Sequence, residues 1–188
     1  MKTTKTIYTL LLLSVLTCVA TAQPGLQSYV QQSEPYVLAL QNTVQEFLGE
    51  MKPLREKRDI AGLKKVADKY LLTWNGYASE LNKLSPPPEA KTYHDSLTRL
   101  HQLQGESSQI MSEVMGHRLE VLKYARQMKE GGRTEEDIQA YIKSNEIDRE
   151  NLVARTSAIT SETASANASM NSERKKIIGQ LKASTDTK

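Results

Sequence analysis

Apolar residues recur at steps of three and four along most of this chain, the spacing of buried helical stripes. The clearest run lies on the segment Glu89 to about Lys129 that follows Pro86-Pro87-Pro88. Its stripe is Tyr93, Leu97, Leu100, Leu103, Ile110, Met111, Val114, Leu119, Leu122, Ala125 and Met128. Before the prolines the pattern predicts two helices. The first runs from near Leu26 to near Lys57, with Tyr29, Val30, Tyr36, Val37, Leu40, Val44, Phe47, Leu48 and Met51 on its stripe. Pro35 removes a backbone donor inside it, so a kink or a late start at Ser33-Glu34 is expected, and Pro53 predicts a broken last turn. The second helix runs from Asp59, a fair N-cap, to about Leu84, with Ile60, Leu63, Val66, Ala67, Tyr70, Leu71, Trp74, Tyr77, Ala78, Leu81 and Leu84 on its stripe.

Gly131-Gly132 ends the third helix. Thr134 then resembles a capping residue for a fourth helix from Glu135 to about Ala183. Its seam alternates fours and threes through Ile138, Ile142, Asn145, Arg149, Leu152, Thr156, Ile159, Thr163, Ala166, Met170, Glu173 and Ile177. Thr156 to Ser172 is rich in Ala, Ser and Thr. This stretch reads either as a close-packed helix with small contact residues or as a frayed tail. Short connections make successive helices antiparallel neighbours. The expected fold is therefore all-α: an elongated up-down-up-down four-helix bundle with a long, coiled-coil-like third and fourth helix, each about 60–70 Å against roughly 40–45 Å for the first two.

Met1 to Ala22 lies outside this pattern. Lys2 and Lys5 precede the apolar run Ile7 to Val19, and Ala20-Thr21-Ala22 fits a cleavage site before Gln23. The run is short for a membrane span, which takes about 20 residues. A cleaved signal peptide over 1–22 is expected, and hence an exported, periplasmic or extracellular protein without a transmembrane helix. The competing reading lipidates Cys18, although Thr17 before it departs from the usual small residue. Residues 23–183 form the bundle domain, and 184–188 a disordered tail.

Removing the leader's two lysines from the 25 basic residues leaves 23 against 22 acidic ones. That balance gives no broad positive field to attract nucleic acid. Cys18 is the sole cysteine, so the domain has no disulfide, thiolate metal site or cysteine nucleophile. Hydrolytic triads, phosphate loops and oxyanion motifs are absent from the sequence, which argues against an enzyme. His94, His101 and His117 all fall on the third helix. None has Glu three residues before it, as a ferritin-like di-metal site requires, so no metal and no cofactor are expected. Folding the second helix back about the prolines brings Tyr70, Trp74 and Tyr77 level with roughly Asp95 to Gln102. Tyr70, Trp74, Tyr77, His94 and His101 are thus the candidate lining of a small-molecule pocket between the second and third helices, or ordinary core. Gln104, Ser107 and Ser108 fall near Thr156, Ser157 and Thr160, and Arg118 near Glu146, a polar seam suited to a partner surface, a wet cavity or a register lock, or one that faces water beyond the ends of the first two helices.

Leu81 to Leu100, LNKLSPPPEAKTYHDSLTRL, resembles exported bacterial helical-bundle proteins of unknown function. In these a helix ends, prolines follow, and a histidine precedes a leucine-rich helix, as Pro86, Pro87, His94 and Leu97 do here. The resemblance implies a bacterial envelope protein and a helical hairpin, with no activity attached. The expected function is a non-enzymatic interaction or scaffold module, with a protein partner or self-association. Small-molecule binding is the alternative.

Overall fold

The computed structural model describes residues 24–183. The expected signal peptide with Cys18, and the expected tail, lie outside them. The fold is all-α, an antiparallel bundle of four rods. They are α1 (Pro24–Glu56), α2 (Ile60–Leu81), α3 (Lys91–Glu130, entered through a 3-10 turn at Pro88–Ala90), and a fourth rod in two pieces, α4 (Glu135–Ser144) and α5 (Arg149–Ala183).

The helix ends follow from residues that satisfy orphan backbone groups. Arg58 adopts φ 53°, and the amides of Arg58 and Asp59 bond back to the carbonyls of Arg55 and Leu54. This closes α1 with a left-handed Schellman turn built on a non-glycine residue. Asp59 then caps α2, its carboxylate accepting from the Gly62 amide at 2.8 Å. A Cβ on Gly62 would stand 2.6 Å from that carboxylate and 2.8 Å from Leu54, so glycine is what lets the turn close. The same device recurs after α3. Gly132 takes φ 75°, and the amides of Gly132 and Arg133 bond to Lys129 and Met128.

Two details depart from the sequence pattern. Of the kink or late start expected at Pro35 the late start is absent, since α1 runs through Pro35, and it also runs through Pro53 to Glu56 with no broken last turn. Pro35 and Gln31 are both exposed, so water can serve the Gln31 carbonyl that has lost its helical donor. The fourth rod spans the expected range but breaks at 145–148. The Asn145 side chain bonds back to the Tyr141 carbonyl, and Asp148 accepts from the Asn151 amide at 3.0 Å. An end signal and a start signal therefore stand three residues apart.

Register is fixed by pairs. Tyr36 meets Tyr77 and Phe47 meets Tyr70 across α1 and α2. Asp68 accepts from Ser112 across α2 and α3. Arg99 grips Glu162 at 2.6 and 2.8 Å, and Arg155 reaches Glu113 at 3.1 Å, across α3 and α5. Gln104–Ser108 and Thr156–Thr160 are bracketed by those two ion pairs. Helix α5 is continuous through the Ala/Ser/Thr stretch. Of the expected seam within α5, Leu152, Ile159, Thr163, Ala166, Met170, Glu173 and Ile177 are covered or half-covered, whereas Arg149 and Thr156 are exposed.

The core sits where all four rods overlap. Leu26, Tyr29 and Val37 of α1, Leu81 of α2, Tyr93, Leu97 and Leu100 of α3, and Met170 and Ile177 of α5 form one buried cluster. Each such side chain contributes roughly 1.5–3 kcal/mol by leaving water. Ile60, the first residue of α2, lies level with Val121 and Leu122. The tip of the long hairpin, where Tyr124 stacks on Tyr141 at 4.6 Å, extends past the α1–α2 turn.

Candidate functional site

The five candidate residues fall into three groups. Trp74, Tyr77 and His101 come together between α2 and α3. The imidazole lies 5.6 Å from the indole and 5.4 Å from the Tyr77 ring, and the indole 6.1 Å from Tyr77. Tyr36 of α1 closes this group through its edge contact with Tyr77. Tyr70 stands apart. Its hydroxyl donates to Glu50 at 2.8 Å and its ring packs on Phe47 at 5.1 Å. Burial, and then the Glu50 carboxylate, push the Tyr70 hydroxyl up from its ordinary range. Hydrogen bonds from Lys69 and Tyr70 hold Glu50 low. His94 joins neither group. Its Nδ1 lies 2.9 Å from the Tyr29 hydroxyl.

His101 is 0% exposed and Trp74 is 1% exposed. The His101 Nε2 sits 3.1 Å from the Tyr36 carbonyl. A carbonyl only accepts, so Nε2 carries the proton and the neutral ring has a bare Nδ1. That nitrogen and the Thr98 hydroxyl are buried without a hydrogen-bond partner. Burial pushes His101 down to about 4, although the Tyr36 bond acts the other way. Burial likewise lowers His94, with Asp95 opposing.

Tyr29 and Tyr36 of α1, outside the five candidates, also belong to the site. Both were legible as stripe residues of α1. Their separation of seven matches that of His94 and His101, and this equal spacing was the available signal.

His117 takes a third role. Its Nε2 donates to the Asn145 carbonyl at 2.7 Å and ties α3 to the end of α4. Around it lies a hollow of about 300 Å³, with Val121, Ile142 and Leu152 among its apolar walls. Arg118 and Glu146, expected near each other, both line it.

Among the described residues no group of three or more His, Cys, Asp or Glu is placed to hold a metal ion. No described helix is long and apolar enough to cross a membrane. No protein-family model, curated protein or solved structure matches the chain.

Proposed function

We propose that the protein is a non-enzymatic helical bundle, exported by its first 22 residues, that works as an interaction or scaffold module in a bacterial envelope. The observation that carries this reading is the posture of α5. From Arg149 to Ser165 it leans on α3 through the Arg99–Glu162 and Arg155–Glu113 ion pairs while most of its side chains stand in solvent, Val153 at 61% exposure. A long helix gains most of its stability from a covered face. This one offers an uncovered face of small polar residues, on which another helix can approach closely. The histidines agree with a structural assignment, because each is committed to a hydrogen bond joining two elements.

The test places a photo-crosslinker at Val153 and, as control, at Gly49. Adducts from Val153 to a second copy or to a defined envelope protein, without matching adducts from Gly49, support the reading. A strictly monomeric protein by light scattering with no Val153-specific adduct defeats it. Sequencing of the secreted or periplasmic protein tests export: a start at Gln23 supports cleavage, and a lipid on Cys18 supports the competing anchor.

Small-molecule binding is the second reading, favoured by the meeting of Trp74, Tyr77 and His101 with Tyr36. The cluster is sealed, so entry requires α1 to move. Unchanged Trp74 emission and melting temperature across a ligand panel would dismiss it for the classes screened.

A further inference from the structure

Two histidines one heptad apart on α3 meet two tyrosines one heptad apart on α1: Tyr29 with His94, and Tyr36 with His101. These contacts sit on the face where Tyr29 and Val37 are buried against Tyr93, Leu97 and Leu100. We infer that this paired ladder is an acid-sensitive latch, which holds the N-terminal part of α1, residues 24–40, on α3 at neutral pH and lets it go as the imidazoles take up protons.

The geometry supplies the reason. A proton arriving at His101 must go to Nδ1, the nitrogen without a partner. From α2 this ring faces Trp74 and Tyr77, and from α1 the Tyr36 carbonyl; none of these is a carboxylate. Burial outweighs the opposing Tyr36 bond and keeps the ring neutral. Around His94 the charged neighbours are Asp95 and Lys91 on α3 itself, of opposite sign. Tyr29 faces it from α1. From α5, Arg174 approaches the adjacent Tyr93 and is already paired with Glu34 of α1. His94 is 8% exposed, so His101 is the stronger element.

Opening is confined to the first half of α1 for two reasons. Beyond Leu40, α1 is tied to α2 by Glu50, which accepts from Lys69 and Tyr70, bonds that hold its carboxyl below the ordinary range. Within the first half, Pro35 interrupts the helix's own hydrogen-bond ladder.

The sign follows from linkage. His101 is held to about 4 while α1 is docked and moves up toward its ordinary 6.5 when α1 opens, with Trp74 and Tyr77 of α2 still beside it. The open form therefore binds more protons between these values. The latch is at full strength above about 6.5 and weakens as pH falls toward about 4. At pH 5.0, His101 alone favours opening by up to about 25-fold over neutral pH.

Hydrogen exchange on the full chain at pH 7.5 and 5.0, corrected for intrinsic rates, tests this. Opening of amides in 27–40 should rise about tenfold or more, while those in 106–121 stay within about threefold. An equal rise across all helices, or none in α1, overturns the latch. His101→Gln keeps a donor for the Tyr36 carbonyl and cannot be charged, so most of the acid response of α1 should vanish; a response equal to wild type also overturns it. If that variant does not fold, NMR titration of the wild-type imidazoles decides: a His101 signal titrating near 6.5 with α1 still docked refutes the latch, and one below about 5 supports it.

Discussion

Replacing Ile177 by alanine tests whether α5 belongs to the cooperative core. Ile177 is 2% exposed and shares the buried cluster with Leu26, Tyr29, Tyr93 and Leu97. The change removes three carbons. At about 0.8 kcal/mol each, the transfer loss is roughly 2.4 kcal/mol. The residual cavity raises the cost into the range of about 2–5 kcal/mol seen for such truncations. Met170 and Ile177 are the two buried side chains of α5, so this loss strikes a large part of its anchor. Urea unfolding should be followed by circular dichroism at 222 nm and by emission of Trp74, which lies between α2 and α3 far from the substitution. Both midpoints should fall together, by an amount equivalent to about 3 kcal/mol. Val153→Ala, on an exposed part of the same helix, should stay within about 0.5 kcal/mol. The reasoning fails if Ile177→Ala also stays within that margin. It fails equally if helicity is lost in a separate early step while Trp74 is unmoved, because α5 would then be an appendage.

Substitutions at three further positions test the turns. Arg58→Gly relieves a left-handed residue and should stabilise the chain by about 0.5–1 kcal/mol in the same urea assay. Gly132→Ala strains the corresponding turn after α3 and should cost about 1 kcal/mol or more. Asp59→Ala deletes the cap on the Gly62 amide and should cost about 1 kcal/mol, whereas Asp59→Asn should cost only a few tenths.

The fold was legible because its boundaries are written in local chemistry. Pro88 opens the turn into α3, Asp59 and Thr134 cap α2 and α4, and Gly132 supplies a conformation that other residues resist. The α5 seam was legible from period alone, since spacing survives even where Ala, Ser and Thr occupy the positions. The break at 145–148 was harder to read, because the seven-residue period passes through Asn145 and Arg149 without a gap. Its cause is side-chain competition for backbone groups by Asn145 and Asp148.

The site was legible only in part, for a different reason. Contacts within a hairpin can be counted outward from its turn, and this count brought Trp74 and Tyr77 to His101. The partners of His94 and Tyr70 come from α1. The α1–α3 pairing joins helices that are not consecutive, so no turn sets its register. It depends on how α1 rolls into the groove left by the others, which a stripe of apolar residues specifies loosely. Ser33, fully buried beside Tyr93, shows what decides it: a small residue admits a large ring at one point.

Helix α5 lies antiparallel on α3 in one register. Ser96 and Ser169 test it most directly, because their hydroxyls meet at 2.9 Å. In a Cys18→Ser background, the pair Ser96→Cys with Ser169→Cys should form an intrachain disulfide under mild oxidation, since side chains this close meet the distance requirement. The pair Ser96→Cys with Ser157→Cys, displaced by about 18 Å along the helix, should stay reduced. A target pair that remains reduced, or a displaced pair that links as fast, would contradict the account.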